Sequence, residues 1–361
     1  MGNSYFIVCH FDSVNSKANG IEKKIQYQFE VLKNNSNSSW HFINLPGHYK
    51  LHSNLLKFYF GNALKEYYSC FSDVENVYIR RPHIMSMSVL KVLRYIRKNF
   101  PNSKIVYEIP TYPYDKEIAN KAKLIIDKIF RSKLKNVVSY ITVWSNQKKI
   151  FGCDVIQYQN GVNCSEIPCA QENTNSNSIT LTAVAQFAFW HGYDRILVGL
   201  GKYYSIKKTS DPEILLNLVG YGNLIEEYKI IVSNYKIEKY VNFVGPLYGN
   251  ELDDIFNKSD IGVSTLGFHR TGVTGSSSVL KSKEYLARGL PLVTSAHIDV
   301  LPKDSSYELL VPEDDSPIDI YKIIDFYNLN VKRINRKEIR EFAEKNCDML
   351  FGMKNIYSFF K

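Results

Sequence analysis

The run His269–Ser295, HRTGVTGSSSVLKSKEYLARGLPLVTS, decides how this chain is read. It opens on Gly, Ser and Thr, passes into helix-forming composition, stops at Gly289 and resumes as the apolar run Leu290–Val293. With Ile261–Leu266 before it, the order is strand, loop, helix, strand. Gly272, Gly275 and Ser276, Ser277 and Ser278 therefore lie where a loop feeds a helix N-terminus. Unpaired backbone N–H groups and the positive end of the helix dipole meet at such a place, which suits a phosphate. Lys281 and Lys283 follow, and Glu284 lies about two turns into the predicted helix. A carboxylate there can accept hydrogen bonds from the two hydroxyls of a ribose. It can equally be a solvated partner for its lysine neighbours.

Strands alternate with helices on both sides of this run. Strands are predicted at Ser4–Phe11, Trp40–Leu45, Asn76–Arg81, Lys104–Pro110 and Val137–Trp144, with helices near 21–34, 54–70, 88–99 and 116–135. In the first helix Ile21, Ile25, Phe29 and Leu32 recur at helical spacing, and Asn19 and Gly20 precede it at the carboxyl ends of the strands. No GxGxxG follows the first strand, which argues against a dinucleotide-binding dehydrogenase. Glu108 closes a strand, and the Pro- and Tyr-rich segment after it, with Thr111 and Tyr112, reads as a shaped wall; Glu108 bonded to loop amides is the plain alternative. In the helix 116–135, Ile118, Ala122, Ile125 and Ile129 line one face while Lys121, Lys123, Lys128, Arg131, Lys133 and Lys135 crowd the others. Such a helix suits an anionic membrane surface or is a solvated face.

Cys164–Ser178 is polar and linker-like, and a second alternation follows it. Strands are predicted at 179–187, 214–219, 240–244 and 307–311, and helices from Tyr193, at 251–257, 318–327 and 337–360. The reading is an α/β chain of two doubly wound, Rossmann-like domains, 1–165 and 166–340, with a final helix at 341–361. Its length of 361 residues suits two such domains.

A net charge of +9 favours an acidic partner, and the sequence carries no zinc-finger, RNP or basic-zipper pattern to make that partner nucleic acid. Six cysteines form no CxxC, and eight histidines form no HExxH, so reduced thiols and no metal site are expected. No run has the length of a membrane span and the N-terminus lacks a signal-peptide pattern, which leads us to expect a cytoplasmic protein.

The stretch KSKEYLARGLPLV resembles the donor-site helix of retaining GT-B glycosyltransferases of family 4 (group 1), in particular their capsule and exopolysaccharide branch. Asn160-Gly161-Val162 resembles the family's exit from its first domain. The resemblance implies a GT-B fold with two domains facing a cleft, the first for the acceptor, the second for a nucleotide sugar, and a last helix crossing back over the first. It places Glu284 on the ribose, Gly275, Ser276, Ser277 and Lys281 near the diphosphate, and Gly245, Pro246 and Leu247 near the base. A second family glutamate, eight positions earlier, is Ser276 here. The family's diphosphate-gripping Arg and Lys fall at Gln186 and His191, with Arg195 and Arg270 as substitute cations. Glu108, His269 and Arg270 are the catalytic candidates; Asn19, Gly20, Thr111 and Tyr112 are expected on the acceptor side. The implied activity moves a sugar from a nucleotide diphosphate to a hydroxyl of a lipid-linked surface glycan, without a metal or other cofactor, at the inner face of a membrane. A sugar-nucleotide 2-epimerase and a non-catalytic glycan- or membrane-binding module are the alternatives.

Overall fold

The computed structural model describes residues 2–11, 20–47, 55–172, 178–272 and 274–361, so Asn19 lies outside the described residues. The chain divides into two compact units, Met1–Asn160 with Met349–Lys361, and Gly161–Asp348.

The first unit contains β1 (Asn3–Cys9), α1 (Gly20–Asn35), β2 (Ser39–Leu45), α2 (Leu55–Phe60), β3 (Val74–Arg80), α3 (Met87–Asn99), β4 (Lys104–Glu108), α4 (Lys121–Arg131), β5 (Tyr140–Val143), β6 (Lys149–Ile150) and β7 (Cys153–Gln157). Its sheet runs β2-β1-β3-β4-β5-β7-β6, parallel except where β6 meets β7. Parallel strands covered on both faces read as continuous apolar runs, and β1 does. Alternate residues serve opposite cores: Tyr5, Ile7, Val77, Ile79, Ile105 and Tyr107 on one face, Phe6, Val8, Tyr78 and Val106 on the other.

The second unit contains β8 (Ser178–Phe187), α5 (Tyr193–Ile206), β9 (Glu213–Gly222), α6 (Ile225–Tyr235), β10 (Val241–Gly245), α7 (Gly249–Asn257), β11 (Ile261–Val263), β12 (Ser276–Ser277), α8 (Leu280–Ala287), β13 (Leu292–Thr294), β14 (His297–Ile298), β15 (Glu308–Leu310), α9 (Ile320–Leu329) and α10 (Arg336–Asn346). Its six-stranded sheet is parallel in the order β10-β9-β8-β11-β13-β15. Numbered within the sheet this is 3-2-1-4-5-6, the dinucleotide-fold order, and its direction reverses between β8 and β11. Helix α8 ends in a Schellman turn: Leu290 N–H bonds Tyr285 O and Gly289 N–H bonds Leu286 O, both 2.9 Å, with Gly289 at φ 74°. A side chain at Gly289 would press within 2.6 Å of Arg336 O on α10, so glycine is required twice over.

Two short helices, α11 (Met349–Gly352) and α12 (Lys354–Phe360), complete the first unit. Met349, Met353, Ile356 and Phe360 pack with Ile25, Val31 and Leu32 of α1 on the Phe6 face of the sheet.

Several expectations are corrected. The helix predicted over 116–135 is a 3₁₀ turn at Asp115–Glu117, then α4, then a second 3₁₀ turn at Leu134–Asn136, because Asn120 caps the start of α4 through Lys123 N–H (3.1 Å). Of the apolar face, Ile118 is buried but Ala122, Ile125 and Ile129 are exposed, while Asp127 and Phe130 turn to the core. In α1, Ile21 is exposed and Glu22, Lys24 and Gln28 are buried. The segment 337–360 is three helices, and Glu284 is the fifth residue of α8, a little over one turn from its start.

Tyr285 ties α8 to the sheet, its hydroxyl accepting from Val184 N–H (2.9 Å) and donating to Val263 O (3.3 Å). Tyr285→Phe leaves Val184 N–H without this acceptor and Val263 O with only the longer bond from Tyr193 Oη (3.5 Å), and is expected to lower stability by about 1–3 kcal/mol in urea titration. A change of only a few tenths would mean that the two groups re-pair.

Candidate functional site

The switch point of the second sheet is built by two loops pressed together. The loop after β8 closes with a 3₁₀ turn at Phe189–His191 and Gly192, and that after β11 runs through Ser264–Gly267. Leu266 N–H bonds His191 O at 2.8 Å. Gly192 has φ 65°, and a Cβ there would lie 2.5 Å from Gly267 N, so this approach admits no side chain. Arg195 locks it: its buried guanidinium donates to Leu266 O, to Ser316 O (2.8 Å) and to Pro312 O (3.0 Å), with Asp314 at 3.5 Å. Its donors are committed to loop carbonyls, so here it acts as a brace.

Beside the brace stand His191, Tyr193 and Lys281. His191 stacks on Tyr193 with ring centroids 5.5 Å apart. Ala188 N–H donates to His191 Nδ1 (3.1 Å), which leaves Nε2 as the N–H donor of the neutral ring. Burial, with Lys281 nearby, pushes the His191 pKa down to about 2, so the ring is neutral in ordinary buffers. Lys281, second residue of α8, donates to Tyr193 Oη (3.3 Å) and lies 5.6 Å from the Tyr193 ring centroid. Burial lowers its pKa to about 7, against the opposing charge of Glu284. It forms no ion pair with a described residue.

Glu284, one turn further along, has a side chain one-third exposed and accepts from Arg288 Nη2 (3.2 Å), four residues on. Arg288 also pairs with Asp253 (2.6 Å) and covers the Phe256 ring (4.2 Å), so Glu284 sits in a braced charge row. Lys283 points the other way, buried against Asp299 (3.0 Å) and Ser278 (3.1 Å). Gly275, Ser276 and Ser277 do not form an open loop. Ser276 and Ser277 pair with His297 and Ile298, and Gly275 N–H is held by Glu313 (2.8 Å). The first N–H groups of α8, at Leu280 and Lys281, lack partners within the helix and are the donors left for an anion.

Arg270 is taken up by carboxylates. It grips Asp194 with two bonds (2.9 and 2.7 Å) and Asp315 with a third (2.7 Å), while His269 Nε2 meets Asp315 at 3.2 Å. Gln186 is exposed at the carboxyl end of β8; Gly245, at φ 80° with open space around it, leads into exposed Pro246 and half-buried Leu247 at the end of β10. Exposed Tyr221 and Tyr248 lie along the same carboxyl edge.

In the first unit Glu108 is fully buried at the end of β4, in register with Arg80 on β3 and Thr142 on β5. Oε1 accepts from Arg80 (2.7 Å), Tyr158 (2.9 Å), Lys24 (3.2 Å) and Gln28 (3.2 Å). Burial raises its pKa, but Arg80, Lys24 and the bonds from Tyr158 and Gln28 prevail and hold it down at about 2. An inaccessible, firmly ionised carboxylate is a poor general base, so the expected catalytic contact has no geometric support. Gly20 is exposed at the start of α1 and Thr111 is half-buried; Tyr112 is half-buried against Phe151. Among the described residues no cluster of three or more His, Cys, Asp or Glu side chains has the placement to hold a metal.

No family model and no curated relative matches the chain. Solved structures do. Sucrose-phosphate synthase from Thermosynechococcus elongatus superposes with a TM-score of 0.67 at 14% identity, covering 99% of this chain and 98% of that one. Anabaena HepE, solved with UDP and glucose, gives 0.65 at 10% identity, covering 98% of each chain. The lipopolysaccharide outer core galactosyltransferase WaaB gives 0.59 at 12%, covering 99% of each. The chain has the GT-B fold.

Within this GT-B chain the structure gathers His191, Lys281 and Glu284 along the start of α8, and assigns Arg195 and Glu108 to internal bracing. Sequence reasoning missed Tyr193, Lys24, Arg80, Tyr158 and the carboxylates Asp194, Glu313 and Asp315. The run PEDDS at 312–316 was a readable signal for the last two, since it is the densest acidic stretch near the end of a strand.

Glu108→Ala leaves Lys24 and Arg80 without their carboxylate and is expected to cost roughly 3–5 kcal/mol of stability at neutral pH. Since the folded pKa is depressed, that contribution is lost as pH falls from the usual carboxylate range through about 2, and wild type and variant converge there in acid titration. Lys281 has the opposite sign. Below about pH 7 the cost of its buried charge is fully present, and it fades as pH rises toward the free lysine value. Lys281→Met is therefore expected to melt higher than wild type at pH 6, with the gap closing by about pH 10. A gap that ignores pH would show that the ammonium is well solvated.

Proposed function

We propose that this chain is a glycosyltransferase that moves a sugar from a nucleotide diphosphate to a hydroxyl of a lipid-linked surface-glycan intermediate, of the capsule or exopolysaccharide type, with retention of configuration. The second unit takes the donor and the first the acceptor. The observation that carries the reading is the meeting of neutral His191, Lys281, which has no ion pair among the described residues, and the α8 N-terminus at the switch point, with Glu284 one turn away. Open α/β sheets bind ligands at that place, and this one combines N–H donors, a cation and a carboxylate as a nucleotide diphosphate requires. HepE, of the same fold, is described in complex with UDP and with UDP-glucose.

In the proposed reaction the bond between the anomeric carbon and the diphosphate oxygen breaks and a bond to the acceptor oxygen forms. The acceptor proton passes to the departing diphosphate oxygen, so no protein base is needed. Negative charge grows on the diphosphate, where the Leu280 and Lys281 N–H groups, the Lys281 ammonium and His191 Nε2–H stabilise it. Glu284 takes the ribose hydroxyls and so fixes the scissile bond. No resident metal or cofactor is part of this scheme. The epimerase reading needs acid and base groups at a sugar carbon, and its two candidates are occupied: Glu108 is buried and His269 is bonded to Asp315.

Thermal-shift measurements with UDP, GDP, dTDP, ADP and CMP test the donor site. One diphosphate is expected to raise the melting temperature by several degrees at saturation, and Glu284→Ala to weaken its binding about tenfold or more. A flat response to all five would overturn the transferase reading in favour of a non-catalytic module. Incubation with the matching nucleotide sugar alone would expose an epimerase by a changed sugar.

A further inference from the structure

Helix α4 turns an unusual face outward. Lys121, Ala122, Ile125, Lys128, Ile129 and Ser132 are exposed at steps of three and four residues, while Asp127 and Phe130 face the core. Ile125 and Ile129 are 59% and 50% exposed, one turn apart, so neither is a packing residue. The core side is already filled: Phe130 packs in it, and Asp127 bonds Met85 N–H, Tyr114 and Arg131. Helix α2 adds to the apolar surface. Leu56 is 78% exposed with Leu55 and Phe60 beside it, and the Phe60 ring lies 6.1 Å from that of Phe130 on α4.

The charge around these isoleucines has one sign. Residues 121–135 hold six cations, Lys121, Lys123, Lys128, Arg131, Lys133 and Lys135, against the single buried carboxylate of Asp127. Asp115 offsets part of this by pairing with Lys128 (3.1 Å) and Arg131 (2.7 Å). At the end of α4, Lys128, Arg131, Ser132 and Lys135 line a shallow depression with Phe151 and Gly152. A nucleic acid would have use for the lysines but none for Ile125 and Ile129. Apolar side chains between long cationic ones match the boundary of an anionic bilayer, where the lysine stems lie along acyl chains and the ammonium groups meet lipid phosphates.

We propose that α4, together with the exposed edge of α2, is the surface by which this protein docks on an anionic phospholipid membrane. Ile125 and Ile129 enter the headgroup–acyl boundary, and Lys121, Lys128, Lys133 and Lys135 engage lipid phosphates. This deepens the reading of a lipid-linked acceptor, yet docking is measured without any sugar transfer, so either can fail alone.

The test is co-sedimentation of the full chain with vesicles of phosphatidylcholine alone and of phosphatidylcholine with phosphatidylglycerol. Binding is expected only to the anionic vesicles and is expected to weaken as salt rises. The Ile125→Ser/Ile129→Ser variant is expected to bind at least about tenfold more weakly, since two exposed side chains lose their insertion. Lys121→Ala/Lys133→Ala/Lys135→Ala is expected to lose a similar factor and most of the salt dependence. Unchanged melting temperature, and unchanged response to the nucleotide that the panel identifies, would show both variants to be folded. Three results would each overturn the proposal: no binding to anionic vesicles, full binding by the serine variant, or displacement of wild type by inorganic phosphate at constant ionic strength. The last would make the cationic depression a soluble-phosphate site. An Ile125- and Ile129-dependent dimer in sedimentation velocity, with no vesicle binding, would make the face a protein interface instead.

Discussion

The second unit depends on one brace. Arg195 brings a permanent charge into the space beneath two loops and spends it on three carbonyls, those of Leu266, Pro312 and Ser316. Burial pulls against the charged form, and those carbonyls with Asp314 are what it receives in return for lost water. The three carbonyls belong to segments following β11 and β15, far apart in the chain, and Arg195 itself begins α5 after β8. One side chain thus holds the strand ends on which His191, the Gly192–Gly267 contact and the PEDDS segment stand. Such a residue rigidifies a site without entering it, which is how a parallel sheet can present several loops in fixed register.

The first unit uses the inverse device. There a carboxylate is the buried centre and cations surround it, with Glu108 Oε1 collecting four donors from β3, α1 and the segment after β7. Lys24 extends the set to Tyr158 (3.0 Å) and Asn160. A network this convergent joins the helix to the carboxyl ends of the strands and fixes the rotation of α1 about its axis. The same rotation explains why Ile21 faces outward while Glu22, Lys24 and Gln28 face in.

Those two networks mark where sequence reading stops. Strand and helix alternation was legible because parallel strands are apolar throughout and their helices follow a 3.6-residue period. Gly289 and the run beyond it were legible because a Schellman turn leaves a glycine. The orientation of α1 and α4 was not, because helical periodicity reports apolar spacing and assumes that it faces a core. In α1 a buried polar network outbids that assumption, and in α4 an apolar stripe faces outward. Pairwise chemistry was equally hidden. Arg195, Arg270 and Glu108 are the residue types a phosphate or sugar site uses, and only coordinates reveal that carbonyls or counter-charges from over 25 residues away already hold them.

The distribution of counter-charge decides which cation an anionic donor engages. Arg270 is satisfied by Asp194 and Asp315, so a diphosphate that drew on it would have to separate a two-point ion pair first. Gly275 N–H carries the same handicap, since Glu313 holds it. Lys281 carries none: its neighbours are an aromatic hydroxyl, an aromatic face and a neutral imidazole, and Glu284, whose charge acts on it from one turn away, pairs with Arg288 instead. A desolvated ammonium is destabilised while the site is empty, and an arriving diphosphate relieves that cost by restoring the charged form. In the proposed reaction, charge accumulates on the diphosphate as the sugar leaves, so this relief is greatest at the transition state. On the proposed reading, Lys281, rather than the better-formed arginines, is therefore the group around which the electrostatics of transfer are arranged.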